Sequence, residues 1–195
     1  STSEEWDGSS WTATPSLNAP QNASAGCGTS SAGLNAGGPG SPTEIYNGTS
    51  WTDQSAPSSP TLTGGRGGAG TTAAAILFGG YGPGPNTGTE DWNGTAWTAG
   101  GSLLIGRYFN AASFGTSTDG IGFGGYLTPG GTAATEGYDG TNWSTRPSLG
   151  TSRYALAGGG QTTTNFGAGG GPFSTATEAY TPETSAVNIV TLTTS

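Results

Sequence analysis

The chain contains no histidine, no methionine, no lysine and a single cysteine, Cys27. Each absence removes a class of chemistry. Without histidine there is no Ser-His-Asp triad and no Cys-His pair. One thiol forms no internal disulfide, and without imidazole or further thiol ligands it builds no zinc site. Cys27 lies in the small-residue stretch Ala25-Gly26-Cys27-Gly28 and reads as a small buried filler. The only cations are Arg66, Arg107, Arg146 and Arg153, against a net charge of −8. Nucleic-acid binding needs a basic footprint, and an anionic membrane surface repels such a chain. No apolar run approaches the roughly 20 residues that span a bilayer. The expected cofactor and metal complement is therefore none. The sequence does not begin with Met, which points to a processed product or part of a longer polypeptide.

Only 8 % of the residues are charged, while 39 of 195 are glycine and 12 are proline. That composition alone leans towards a low-complexity chain. Six Trp, seven Tyr and six Phe argue the other way, because large apolar rings need a core and disordered chains are poor in them.

Pattern decides between the two. The segment Glu4-Glu5-Trp6-Asp7-Gly8-Ser9-Ser10-Trp11 returns as Glu44-Ile45-Tyr46-Asn47-Gly48-Thr49-Ser50-Trp51. It returns again as Glu90-Asp91-Trp92-Asn93-Gly94-Thr95-Ala96-Trp97 and as Glu136-Gly137-Tyr138-Asp139-Gly140-Thr141-Asn142-Trp143. A degenerate fifth copy is Glu178-Ala179-Tyr180-Thr181-Pro182. Successive glutamates stand 40, 46, 46 and 42 residues apart, a period that marks a repeat architecture. Asn-Gly or Asp-Gly between β-formers predicts a hairpin with a type I′ turn, both of whose central residues need positive φ. The aromatic and the Trp then face each other across the strands.

A second unit separates the motifs: a Leu, four residues later usually an Arg, then small residues and a strand ending in Gly-Gly. Its copies are Leu17/Gln21 with Gly37-Gly38, Leu62/Arg66 with Gly79-Gly80, Leu103/Arg107 with Gly124-Gly125, and Leu149/Arg153 with Gly169-Gly170. Two hairpins per period predict four strands, the content of one propeller blade. Small residues would let inner strands approach closely.

Gly-Gly closing a strand, then an aromatic, then Trp about six residues on, resembles the kelch repeat over nearly the whole chain. The resemblance implies an all-β, kelch-like β-propeller of four to five blades, each of four antiparallel strands, with an irregular closing blade. It is expected to form one domain over residues 1–195, with repeats starting near 3, 43, 89, 135 and 177. The phrase Thr-Glu-x-Trp-Asn-Gly-Thr-x-Trp-Thr is similar to repeat arrays of large structural proteins of tailed bacteriophages. Five outer hairpins face only four inner ones, and Ser3–Thr12 and 187–193 both offer outer strands. A small ring, a fragment of a longer array and a blade completed by another subunit all fit that count. Unpaired strand edges also invite self-association.

The recurring Glu4, Glu44, Glu90, Glu136 and Glu178 are expected to be structural, because one reaction needs one constellation and not five. Each should pair with Arg66, Arg107 or Arg153, or with backbone N–H groups of an adjoining blade. Trp11, Trp51, Trp97 and Trp143 belong to the same structural set. Three equivalent arginines also allow a sialidase-like reading, in which guanidinium groups gather round a substrate carboxylate. The turn departs from the sialidase Asp-box, however, and no asymmetric Tyr/Glu pair stands out. The Gly64-Gly65-Arg66-Gly67-Gly68 cluster lacks the Lys-Ser/Thr of a phosphate loop. The sequons at Asn22, Asn47, Asn93 and Asn142 carry little information, since two of them are the hairpin turn itself.

A ligand-binding rim is expected where the repeat departs most from its consensus, in loops at one face. Tyr81 and Tyr126 follow the Gly-Gly ends directly and Phe173 follows one three residues on, with Arg107 and Tyr108 nearby. Aromatic faces beside Asn and Thr suit sugar binding, and packing over the core ends is the competing explanation. The sequence reads as a non-enzymatic structural or adhesion module of a virion or extracellular assembly. Its partners would be other proteins of the assembly or a cell-surface glycan. A lectin-like domain is the alternative, and a sialidase-like hydrolase the remote one.

Overall fold

A computed structural model of the chain describes residues 2–38, 40, 42–58, 64–108, 114–161, 164–171, 175 and 177–180. Every regular element among them is a β-strand. The chain opens with a two-stranded hairpin, β1 (Ser3–Trp6) and β2 (Trp11–Thr14). The first sheet takes β3 (Ala25–Thr29), β4 (Ala32–Ala36), β5 (Thr43–Tyr46) and β6 (Trp51–Gln54) in sequence order. The second takes β7 (Gly67–Gly70), β8 (Ala75–Phe78), β9 (Thr89–Trp92) and β10 (Trp97–Ala99) in the same way.

The third sheet is β11 (Phe114–Thr116), β12 (Asp119–Phe123), β15 (Thr135–Tyr138) and β16 (Trp143–Arg146). A small ribbon, β13 (Tyr126–Leu127) with β14 (Gly130–Gly131), interrupts it in sequence. A fourth sheet of three described strands follows: β17 (Ala157–Gln161), β18 (Thr164–Ala168) and β19 (Thr177–Tyr180). All pairings are antiparallel. The two hairpins of each period therefore join into one sheet, the inner hairpin leading and the motif hairpin outside. The expected outer strand at 187–193 lies outside the described residues.

The motif hairpin has a register that follows from its aromatics. Trp6 stands opposite Trp11, Tyr46 opposite Trp51, Trp92 opposite Trp97 and Tyr138 opposite Trp143. Ring centroids in these pairs lie 5.6, 5.1, 5.2 and 5.1 Å apart. Four residues remain between the paired rings, so the connection is longer than the two-residue type I′ turn that Asn-Gly predicts. Only the glycines (Gly8, Gly48, Gly94 and Gly140, φ near +90 to +100°) take positive φ. The preceding Asn or Asp keeps negative φ and works through its side chain. Asn93 Oδ1 accepts the N–H groups of Thr95 and Ala96 and the Thr95 hydroxyl, at 3.0, 3.0 and 2.9 Å. Asp7, Asn47 and Asp139 make the same Asx turn. Asn and Asp are favoured here because they mimic a backbone acceptor. Asn93→Ala is expected to lower stability by about 1 kcal/mol, the net worth of such bonds, read as a fall of about 2–4 °C in Tm.

The core lies between successive sheets. Inner strands pack in series, β3 against β7, β7 against β11, and β11 against β17. Leu34 and Ala36 of the first sheet pack with Leu77, Trp92 and Trp97 of the second. Ile76 and Phe78 of the second pack with Tyr138 and Trp143 of the third. The aromatic pairs of the second and third sheets thus cover the inner strands of the sheet before each. The indole N–H groups fasten these layers: Trp97 Nε1 donates to Thr43 Oγ1 at 2.7 Å, and Trp143 Nε1 to Thr89 Oγ1 at 2.8 Å.

The glycines of inner strands have a steric reason. A Cβ on Gly122 of β12 would lie 2.6 Å from the Phe78 ring, and one on Gly167 of β18 would lie 2.6 Å from the Phe123 ring. Cys27 is half-buried beside the Leu34 cluster, and burial pushes its thiol up to about 11. At neutral pH it stays protonated, which leaves it a poor nucleophile.

Candidate functional site

Two sets of recurring side chains compete for a functional role, the Glu–Arg pairs and the rim aromatics. In the Glu–Arg set, each Arg stands just before an inner hairpin, and each Glu is the second residue of the third strand of the same sheet. The pair therefore ties a sheet's inner edge to its own outer half. Arg66 Nη1 lies 2.5 Å from Glu90 Oε2 and Arg107 Nη2 lies 3.0 Å from Glu136 Oε1, both pairs buried. Arg153 pairs with Glu178 in the same way, though Glu178 is partly exposed.

In the first sheet Gln21 replaces Arg and donates from Nε2 to Glu44 Oε1 at 3.1 Å. Backbone N–H groups of the segment entering each sheet complete the shell of the carboxylates. Asn18 N–H donates to Glu44 at 2.7 Å, Ser58 N–H to Glu90 at 2.6 Å, Leu104 N–H to Glu136 at 2.7 Å and Gly150 N–H to Glu178 at 2.5 Å. Each Glu is thereby a clamp that fixes the inter-sheet crossing.

The electrostatics follow from this packing. Burial pushes the Glu90 carboxyl up, but the hydrogen bonds of Ser58 and the charge of Arg66 outweigh it and hold the group below its ordinary value. Burial lowers Arg66 and Arg107, opposed by Glu90 and Glu136 respectively. In the turns, Asp7 and Asp139 are lowered by backbone N–H groups that favour their charged form. Asp91 moves the other way, raised by burial against the hydrogen bond from Tyr138.

A carboxyl with a lowered folded pKa contributes stability above its unfolded pKa and loses it as pH falls through the folded value. Glu90, Asp7 and Asp139 carry that sign. Asp91 carries the opposite one and offsets part of the loss. The expected result is a Tm that is level near neutral pH and falls steadily below about pH 4.5, where unfolded carboxylates begin to titrate. Thermal melts from pH 7 to pH 3 check it, and a level Tm down to pH 3 would contradict it.

Arg107, expected both at the rim and in the structural set, has its place in the buried pair. Its side chain is fully buried and also donates to the carbonyls of Ala134 and Gly122, at 3.3 and 3.4 Å. Among the other structural positions, Trp51 is half-buried, while Trp97 and Trp143 are buried. Glu4 and Trp11 of the first copy are exposed. No group of three His, Cys, Asp or Glu side chains able to hold a metal ion occurs among the described residues.

The rim aromatics come together. Tyr81 lies 4.8 Å from Tyr108, Tyr108 lies 5.1 Å from Tyr126, and Tyr126 lies 5.0 Å from Tyr154, ring centre to ring centre. Backbone bridges hold the row: Tyr126 N–H donates to the Tyr108 carbonyl at 2.7 Å, and Gly171 N–H to the Tyr154 carbonyl at 2.8 Å. Tyr81 is the most open, 47 % exposed. Partial desolvation and the neighbouring Tyr126 and Tyr81 raise the Tyr108 hydroxyl above its ordinary value. Tyr108 therefore stays neutral at physiological pH, and the row presents phenol hydroxyls and ring faces.

Tyr81, Tyr108 and Tyr126 were expected at the rim; Tyr154 was not, because no Gly-Gly precedes it and no marked departure from the repeat surrounds it. The shared signal is visible afterwards, since Tyr108 follows Arg107 as Tyr154 follows Arg153. Phe173 lies outside the described residues. Comparison with protein-family models and with curated protein sequences finds no match to this chain.

Proposed function

We propose that the chain is a kelch-like propeller module that works without catalysis, as a structural or adhesion element of a virion or other extracellular assembly. The observation that carries this reading is the fate of the recurring charges. Arg66, Arg107 and Arg153 each face a glutamate of their own sheet, which leaves the face to the tyrosine row. A row of four tyrosine rings suits a contact surface: large area, few rotatable bonds and a polar tip on each ring. Its partners in this reading are other proteins of the same assembly.

A lectin-like role is the second reading, favoured by the openness of Tyr81 beside the Asn86 loop. Sugars stack on aromatic faces while hydroxyls take up their polar edges. A sialidase-like role draws least support, because a substrate carboxylate would have to compete with a glutamate already paired to each arginine. Binding of the purified chain to a glycan array, repeated with Tyr81→Ala and Tyr108→Ala, separates the first two readings. The proposal expects no glycan signal and loss of partner binding in the tyrosine variants. Glycan binding lost in those variants would establish the lectin-like reading instead. Turnover of a fluorogenic sialoside would overturn the non-catalytic reading altogether.

A further inference from the structure

The glutamate clamps of the four sheets are not electrically alike. Glu90, Glu136 and Glu178 each face an arginine. Glu44 is fully buried too, yet the residue that meets it from the same place in the repeat is Gln21. The amide stands where a guanidinium stands elsewhere. Gln21 Nε2 donates to Glu44 Oε1 at 3.1 Å and to the Pro42 carbonyl at 3.2 Å. Arg107 likewise reaches Glu136 Oε1 at 3.0 Å and the Ala134 carbonyl at 3.3 Å. An amide supplies the hydrogen bond but not the charge. The other donors to Glu44, the N–H groups of Asn18 and Ala19 at 2.7 and 3.2 Å, are neutral as well. The fourth arginine, Arg146, bonds to Ser144 and Thr145 of the third sheet, and the sequence has no Lys or His. Among the described residues Glu44 is thus a buried carboxylate with no countercharge, which a folded interior disfavours strongly.

Two further oxygens beside it point to what supplies the charge. Gln21 Oε1 and Asn35 Oδ1 are both buried and accept no hydrogen bond. Asn35 is the register partner of Glu44 across β4 and β5, so the two side chains share one face of the sheet. Its counterparts in the other sheets are Leu77, Gly122 and Gly167, which bring no side-chain oxygen. The sheet that lacks the arginine is therefore the one whose inner strand sets an amide opposite the glutamate. Glu44, Gln21 and Asn35 together offer one carboxylate and two amide oxygens, a donor set that suits hard cations.

We propose that the first sheet binds a monovalent hard cation, sodium or potassium, at Glu44, Gln21 and Asn35, in place of the guanidinium that serves the other three sheets. One positive charge is what each sister clamp holds, and a divalent ion would exceed it by one. A water molecule would satisfy the two orphaned oxygens, but it would leave the charge of Glu44 uncompensated. The ion joins the segment entering the sheet, through Gln21, to the inner strand β4 and to β5. Its role is structural and separate from that of the tyrosine row, so either can fail without the other.

The experiment is thermal unfolding of the purified chain in the chlorides of sodium, potassium and choline, at one pH and one ionic strength, with calcium chloride as a further arm. A Tm about 2–5 °C higher in the sodium or potassium salt than in the choline salt is expected, since an ion that binds the folded state alone raises its stability. Gln21→Arg restores the guanidinium of the other sheets. It has room to fit, because Arg66 is built in with Leu77 at the position of Asn35. This variant should melt at the same temperature in every salt, and at least as high as the parent in sodium. Glu44→Gln removes the charge and should lose the salt difference as well. Asn35→Leu, which copies the second sheet, should reduce it. Equal melting of the parent chain in all the monovalent salts overturns the proposal. A sodium effect that survives in both Gln21→Arg and Glu44→Gln overturns it too, since the ion would then sit elsewhere. Stabilisation by calcium alone would contradict the single charge assigned to the site.

Discussion

Replacing Arg107 by alanine is expected to lower stability by about 3–5 kcal/mol, the cost of leaving a buried charge without its partner. For a chain of this size that corresponds to a fall in Tm of roughly 6–20 °C. The reason is that Glu136 is held in place from two directions. Arg107 Nη2 approaches it from within the sheet at 3.0 Å, and the N–H groups of Leu104 and Ile105 approach from the entering segment at 2.7 and 3.3 Å. Without the guanidinium the carboxylate remains buried, with backbone donors but no countercharge.

Arg107→Gln should cost markedly less, because Gln21 already fills this position opposite Glu44 in the first sheet. Thermal unfolding of the two variants, followed by circular dichroism at pH 7, separates these effects. Equal losses in both variants would mean that shape and not charge decides the site.

The second large effect is at Phe78, which is fully buried. Phe78→Ala is expected to cost about 3–5 kcal/mol, the range for deleting a ring from a core that relaxes only in part. Its surroundings argue for the upper half of that range. The ring edge meets Trp143 at 4.7 Å and 61°, and it fills space left by two glycines. A Cβ on Gly67 or Gly122 would stand 2.5 or 2.6 Å from it, so neither strand carries a side chain able to fill the void. The same geometry predicts a reciprocal result. Gly122→Ala should destabilise by about 1–3 kcal/mol through overpacking, and Phe78→Leu should relieve part of that cost in the double variant. A double-mutant cycle by denaturant unfolding measures the coupling, and additivity would show that the two residues do not share the space.

How much of this was readable in advance depended on how local the signal was. The aromatic–Asx-Gly–Trp motif lies within eight residues, and its strands follow from it with the register that pairs Trp92 with Trp97. The Glu–Arg pairs span more than twenty residues. They could be expected only because Arg66, Arg107 and Arg153 recur in step with Glu90, Glu136 and Glu178.

The turn type was misread because Asn-Gly is ambiguous. Its two-residue form needs positive φ at Asn, whereas here Asn93 keeps negative φ and caps the turn with its side chain. The fit of Phe78 between Gly67 and Gly122 was not legible at all. Glycine-rich strands announce that something comes close without saying which residue does. The tyrosine row falls between these cases. Gly-Gly marked Tyr81 and Tyr126, while Tyr154 is brought to Tyr126 by the meeting of two successive sheets, a distance no local pattern encodes.

Amide hydrogen exchange tests most directly the claim that the repeating charges are internal clamps of a packed β-array. The account predicts slow exchange in the inner strands β4, β8 and β12, although β4 and β12 contain glycine. It also predicts protection of Asn18 and Leu104, connecting residues whose N–H groups are bound to Glu44 and Glu136. Fast exchange at those two amides, at the rate of open loop, would contradict the clamp. Fast exchange in the inner strands as well would return the chain to the low-complexity class that its composition first suggested.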